Sequence, residues 1–244
     1  MPMKARDLQL RVDDSLRVNA EAAEQDRVDS PPTYDRMSAS GRCVRDRWAT
    51  LNGVPNDPGK APTGARIQRI FAMGHGLEPT VVGWLENAGV VVHSDQLEVG
   101  SGDWRGHIDG IAEWTEGIGE KRKALLEIKT CNARSYEKLV AADGGYCEWN
   151  PGYSAQIQAY LRHLPELSEA LVVVLNKDDS QLWVEHVLED ASQGDLLLEN
   201  HKVVMQKDMP PRPKGANGPG SNFCKWKCDR SDWCYSPVTD SDWS

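Results

Sequence analysis

Two short stretches carry the residues best suited to chemistry. They are Arg105-Gly106-His107-Ile108-Asp109-Gly110 and Leu125-Leu126-Glu127-Ile128-Lys129, and they read as neighbouring strands. Side chains alternate faces along a strand with a period of two. Leu126 and Ile128 would then enter a core, while Glu127 and Lys129 share the opposite face. On the first strand Ile108, Ala112 and Trp114 make the apolar face, and Asp109 joins His107 on the other. In register, Asp109, Glu127 and Lys129 meet in one small volume. Two carboxylates so close repel unless a cation lies between them, and hard cations such as Mg²⁺ or Mn²⁺ prefer oxygen ligands. A lysine beside such an ion can orient an attacking water or help deprotonate it. The three residues outline a hydrolytic site.

Positioning these groups requires a hairpin, and its turn falls in Glu116-Gly117-Ile118-Gly119-Glu120. Residues 90–99, 104–114 and 123–130 read as three successive strands. Ahead of them Ile67, Ile70, Phe71, Leu77, Val81, Val82 and Leu85 predict a buried helical stripe. Gly74, Gly76 and Pro79 interrupt it, so the helix is expected to start again near Glu78 with Pro79 in its first turn. A carboxylate beside a buried stripe needs a reason, which singles out Glu78. After the strands a helix runs from about 134 to 142, and Asn150-Pro151 opens another with core residues Ile157, Leu161 and Leu164. Gln156 and Tyr160, four apart, share a different face of that helix. The apolar run 170–175 is typical of a strand buried on both faces, 181–187 alternates as its partner, and a helix follows from 192 to about 205.

At 244 residues the chain suits one domain or at most two. Residues 1–33 form a polar arm whose few apolar positions (Leu8, Leu10, Val12, Leu16) leave a loose segment and a first helix both open. Residues 34–208 form the core, and 209–244 a Pro/Gly-rich linker followed by a cysteine segment. A net charge of −9 is not that of a passive DNA-coating protein. Local basic clusters at Arg42, Arg45 and Arg47, at Arg66 and Arg69, and at Lys121, Arg122 and Lys123 either face solvent or contact phosphates. No apolar run reaches the length of a membrane span and Met1-Pro2-Met3-Lys4 opens no secretory signal, so the expected location is the cytoplasm. Six cysteines in such a compartment argue against disulfides. Cys224, Cys228 and Cys234 crowd the C-terminus while Cys43 stands far upstream, a grouping that makes sense around a soft metal. One plus three suits a [4Fe–4S] cluster better than the paired ligands usual for zinc, with zinc and unligated thiols as the alternatives.

Asp109 followed by Glu127-Ile128-Lys129 resembles the PD-(D/E)XK nuclease superfamily. Gly74-His75-Gly76-Leu77-Glu78-Pro79 looks like the G-x-x-x-E form of lambda-type phage exonucleases, which implies Glu78 as a further metal-site acid. RecB-type relatives place histidine there, which keeps His75 as the alternative. Gln156-x3-Tyr160 resembles the extra motif of RecB-type and iron–sulfur nucleases. Ser40-Gly41-Arg42-Cys43 with Phe223-Cys224-Lys225-Trp226-Lys227-Cys228 is similar to the cluster ligands of AddB-type and CRISPR-adaptation nucleases, where the cluster joins the two ends of the domain. The resemblance covers about 34 to 235 in the family's motif order, and a chain of this size is most similar to phage-encoded or stand-alone members.

The resemblance implies an α/β fold of restriction-endonuclease type, with a mixed central sheet flanked by helices and an iron–sulfur subdomain joining the N- and C-terminal segments. It further implies a DNA exonuclease dependent on Mg²⁺ or Mn²⁺ and acting on single-stranded or frayed ends, located in the host cytoplasm if phage-encoded. Asp109, Glu127, the backbone carbonyl of Ile128 and Glu78 would bind the cation, Lys129 would position water, and Gln156 and Tyr160 would hold the substrate. Cys43, Cys224, Cys228 and Cys234 would hold the cluster. No Walker motif is present, so unwinding would fall to a helicase or recombination partner. Two rival readings stand beside this one: a non-catalytic DNA-end-binding adaptor of nuclease fold, and a zinc-stabilised interaction module.

Overall fold

The computed structural model describes residues 5–58, 60, 64–94, 96–213, 224 and 228–236. Parts of the expected 52–63 loop, linker and cysteine segment (59, 61–63, 214–223, 225–227 and 237–244) lie outside the described residues. The chain divides into two units, one of residues 34–42 and 72–202, the other of 1–33, 43–71 and 203–244.

The first unit is α/β and is built on two sheets. Strands β1 (Asp35–Arg36), β3 (Glu98–Ser101) and β4 (Trp104–His107) form a three-stranded sheet in the order β1-β4-β3. Strands β2 (Val91–His93), β5 (Gly110–Glu116), β6 (Glu120–Cys131), β7 (Glu169–Asn176) and β8 (Leu182–Leu188) form a mixed sheet in that order. The β5–β6 hairpin turns between Glu116 and Glu120 as its glycines predict, with positive φ at Gly117 and Gly119. Strand β7, apolar from 170 to 175 between Glu169 and Asn176, is buried along its whole length and pairs parallel to β6, so that Glu127 faces Val172 in register.

The expected first and second strands each split in two. Between β2 and β3 the chain turns at Ser94 and Gln96, both at positive φ, and changes sheet. It changes sheet again at Ile108-Asp109, between β4 and β5. Asp109 therefore sits at a crossover instead of sharing a strand face with His107.

Helices cover both faces of the five-stranded sheet. On one face Leu126 and Ile128 pack with Val81 and Leu77 of α3 (Ala65–Asn87). On the other, Leu125 packs with Tyr136 and Leu139 of α4 (Ala133–Val140), Tyr146 of α5 (Gly145–Trp149), Ile157 and Leu161 of α6 (Pro151–Leu161) and Leu197 of α7 (Ala191–Val204). Helix α6 starts as expected, with Pro151 in its first turn and the Asn150 side chain accepting hydrogen bonds from the N–H groups of Gly152 and Tyr153. Helix α3 departs from expectation by running unbroken through Gly74, Gly76 and Pro79. Of the expected stripe only Val81 is buried, with Leu77, Val82 and Leu85 partly buried beside it, and this one-sided packing carries the helix across the local breakers. Phe71, expected in that stripe, is exposed instead.

The second unit holds α1 (Ala5–Asp29), α2 (Val44–Leu51) and the short helix Ser231–Tyr235. Trp48, Ala49 and Val54 form its small core, with Met209 and Trp233 packed against them. Arg230 and Asp46, both buried, pair at 2.7 Å, and the Arg230 guanidinium also donates to the carbonyl of Val54 at 2.9 Å. Asp57 accepts hydrogen bonds from the N–H groups of Asp232 and Trp233. These polar links tie 228–236 to the segment that begins at Cys43. Asp46→Ala should lower stability by about 3–5 kcal/mol, because it strands a buried guanidinium. An unfolding free energy, from urea titration, lowered by less than a third of that would show that the pair is dispensable. Among the described residues no helix is long and apolar enough to cross a membrane.

Candidate active site

The residues of the acid–acid–lysine set come together around β6. Asp109 accepts a hydrogen bond from the backbone N–H of Ile128 at 2.7 Å, which fixes its carboxylate against the strand. Glu127 is fully buried, because its face of the sheet is covered by α4–α6 instead of lying open. Neither of its oxygens makes a well-formed hydrogen bond, although the Lys129 ammonium lies against one of them as an ion pair. Burial pushes the Glu127 carboxyl up to about 7; Lys129 opposes this, while Asp109 and Glu78 add to it. For Lys129, burial works against the charge, but Glu127 and Asp109 outweigh it and hold the pKa above the ordinary lysine value. The lysine is thus an ammonium, a donor and not a free base.

Glu78 approaches from α3. Burial and the Asp109 carboxylate raise its pKa, with His75 opposing. His75 reaches Glu78 Oε1 with Nδ1 at 3.0 Å but is itself 80% exposed. Of the two, Glu78 is the group within electrostatic reach of Asp109, Glu127 and Lys129.

Gln156 and Tyr160 are buried on α6. The Tyr160 hydroxyl donates to the carbonyl of His107 at 2.8 Å, and the Gln156 amide donates to that hydroxyl at 3.4 Å. Gly106 makes room for the ring, since a Cβ there would stand 2.7 Å from Tyr160 Cε1. Both side chains are buried, and the pair buttresses the backbone leading into Asp109.

Two aromatic residues complete the surroundings. Lys129 Nζ lies 5.1 Å from the centroid of Tyr153, a cation–π contact. Tyr153 stacks in turn on Tyr146, with centroids 6.3 Å apart. Tyr146 escaped sequence reasoning; the only signal was the helical spacing of Tyr146, Trp149 and Tyr153.

None of the six cysteines forms a disulfide among the described residues. Cys43 precedes α2, and burial raises its pKa, with Asp46 and Cys234 adding to the rise. Burial likewise pushes Cys228 up to about 11, with Asp46, Cys43 and Cys224 contributing. Cys43 thus acts with Cys234, and Cys228 with Cys43 and Cys224, all in one unit, whereas Cys131 and Cys147 belong to the other. Among the described residues, no three His, Cys, Asp or Glu side chains converge closely enough to form a ligand group for one ion.

The arginines expected to meet phosphates are largely engaged within the protein. Arg47 is buried, and Arg45 donates to the carbonyl of Pro210 at 2.9 Å and lies over Trp233. Arg69 pairs with Asp13, and Arg122 with Glu169 and Glu116.

No family model matches the chain, and no curated protein matches it. Solved structures with low similarity include the alkaline exonuclease LHK-Exo from Laribacter hongkongensis, at 16% identity and a TM-score of 0.49, covering 77% of this chain and 90% of that one. LHK-Exo in complex with dAMP gives the same identity and TM-score over 76% and 90%. SSO0001 matches at 15% identity and a TM-score of 0.45 over 95% and 98%. At these similarities the chemistry has to be read from the site itself.

Proposed function

We propose that this chain is a DNA exonuclease that hydrolyses phosphodiester bonds with the help of Mg²⁺ or Mn²⁺. The observation that carries the reading is Asp109 held against the Ile128 N–H beside the buried Glu127–Lys129 pair, with the Glu127 oxygens poorly hydrogen-bonded and Glu78 on the neighbouring helix α3. Such an arrangement is costly for a protein with no ligand to bind there. Hard cations take oxygen donors of this kind. Asp109, Glu127 and the carbonyl of Ile128 would be the ligands, and Glu78 would complete them directly or through water once an ion draws together acids that do not by themselves converge on one point. Such a cation would supply a Lewis acid for phosphate oxygens and make water more acidic.

The other roles follow from the chain's own groups. Ile128 N–H keeps Asp109 aimed, and Tyr160 with Gln156 steadies the backbone just before it. Lys129, held as an ammonium, orients the attacking water and offsets charge developing on the phosphate. Cys43, Cys224, Cys228 and Cys234 hold a [4Fe–4S] cluster that fixes their unit. Preference for single-stranded or frayed ends follows from the family resemblance of the motif order, as does dependence on a partner for unwinding.

The test uses end-labelled linear single-stranded DNA beside its circular form, with Mn²⁺. Native protein should degrade the linear form and spare the circle, and Lys129→Ala should slow digestion about 10²–10³-fold. Equal cleavage of both forms would replace exonuclease by endonuclease, and a Lys129→Ala rate equal to native would move the site elsewhere.

A further inference from the structure

Tyr146 is fully buried in α5, yet its hydroxyl has no hydrogen-bond partner among the described residues. Orphaned polar groups of this kind are rare, because each costs about 1–3 kcal/mol of lost solvation. The fold nevertheless holds the residue in place on several sides. Its backbone N–H donates to Glu185 at 2.9 Å, and Trp183 Nε1 donates to the same oxygen at 2.7 Å. Gly145 just before it adopts φ 59, and a Cβ there would stand 2.5 Å from the Glu185 carboxylate. Tyr153 and Trp149 flank its ring, with centroids at 6.3 and 5.7 Å.

Glu127 and Asp109 are among the charges that act on this hydroxyl. The Glu127 oxygens are themselves buried without a well-formed hydrogen bond. Geometry links the two groups through Tyr153, whose ring stacks on Tyr146 and lies under the same Lys129 ammonium that pairs with Glu127. An orphaned donor and a carboxylate held only by an ion pair thus lie around one aromatic ring. A phenol is protonated at neutral pH and can serve only as a donor to a carboxylate.

We propose that Tyr146 is a positioning residue of the cation site: its hydroxyl donates to Glu127 and holds that carboxylate in its ligand orientation when Lys129 turns from Glu127 to water and phosphate. The inference rests on the metal-dependent reading above. Partners that orient metal ligands typically matter about 10–100-fold in metal affinity.

The experiment is Mn²⁺ binding to the full chain, followed by the EPR signal of free Mn²⁺, for native protein, Tyr146→Phe and Asp109→Asn, with thermal melts of each without metal. Tyr146→Phe should melt at or above the native temperature without metal, because it deletes an orphaned group. Its Mn²⁺ affinity should nevertheless fall about tenfold or more. Native Mn²⁺ affinity in Tyr146→Phe would overturn the proposal, as would a clear loss of metal-free stability, which would show that the hydroxyl already has a structural partner. Failure of the native protein to bind Mn²⁺, or binding unchanged in Asp109→Asn, would overturn the underlying site reading instead.

Discussion

Asp109→Asn is expected to lower DNA hydrolysis by about 10³-fold while leaving the protein as stable as the native form. The two parts of that result come from different atoms. One carboxylate oxygen of Asp109 accepts the Ile128 N–H at 2.7 Å, and an asparagine carbonyl can accept the same bond. The negative charge that would draw a cation beside Glu127 is lost. Asp109→Ala should be equally inactive but should also lose about 1–3 kcal/mol, since the N–H of the buried Ile128 is left without an acceptor. Initial rates with Mn²⁺ and urea unfolding of both variants measure the two effects. A native rate in Asp109→Asn would remove Asp109 from the site, and equal stability of the two variants would show that the Ile128 bond contributes nothing.

How far the sequence foreshadows this arrangement depends on the kind of signal. The β5–β6 turn is legible because glycines mark positive φ, and α6 because Asn150-Pro151 is a helix start. The burial of β7 is legible from its unbroken apolar run. The sheet crossover between β2 and β3 is not, because Ser94 and Gln96 take positive φ without the usual glycine, and the return crossover at Ile108-Asp109 depends on it. Nor is the enclosure of Glu127. Alternation along β6 separates two faces but does not say that helices cover both, and that second cover is what pushes the carboxyl up to about 7. The arginine cluster shows the same limit. Arg45 and Arg47 read as surface charges, while their partners lie far along the chain or are hidden by burial, as with the carbonyl of Pro210.

The other large effect expected is on bound metal. Protein purified without oxygen from iron-replete cells should be brown, with about four irons per chain. Cys228→Ser should lose that iron and unfold more easily, whereas Cys131→Ser and Cys147→Ser should keep it. The distinction follows from placement. Cys228 is within electrostatic reach of Cys43 and Cys224, and Cys43 of Cys234. Cys131 ends β6 beside Lys177, Asp178 and Asp179, with no other thiol acting on it, and Cys147 belongs to α5. The polar links from Asp46 to Arg230 and from Asp57 to the N–H groups of Asp232 and Trp233 bring the C-terminal thiols toward Cys43. Cys43 and Cys228, pushed upward by burial and by neighbouring thiols, are reluctant to ionise alone, and a positively charged iron core would reverse that balance by taking them as thiolates. The small apolar core of that unit, around Trp48, Ala49 and Val54, leaves much of its stability to these ties, so loss of one ligand should lower its melting temperature as well as its iron. Stoichiometric zinc without iron would replace the cluster by a zinc site, and full iron retention in Cys228→Ser would remove Cys228 from the ligand set.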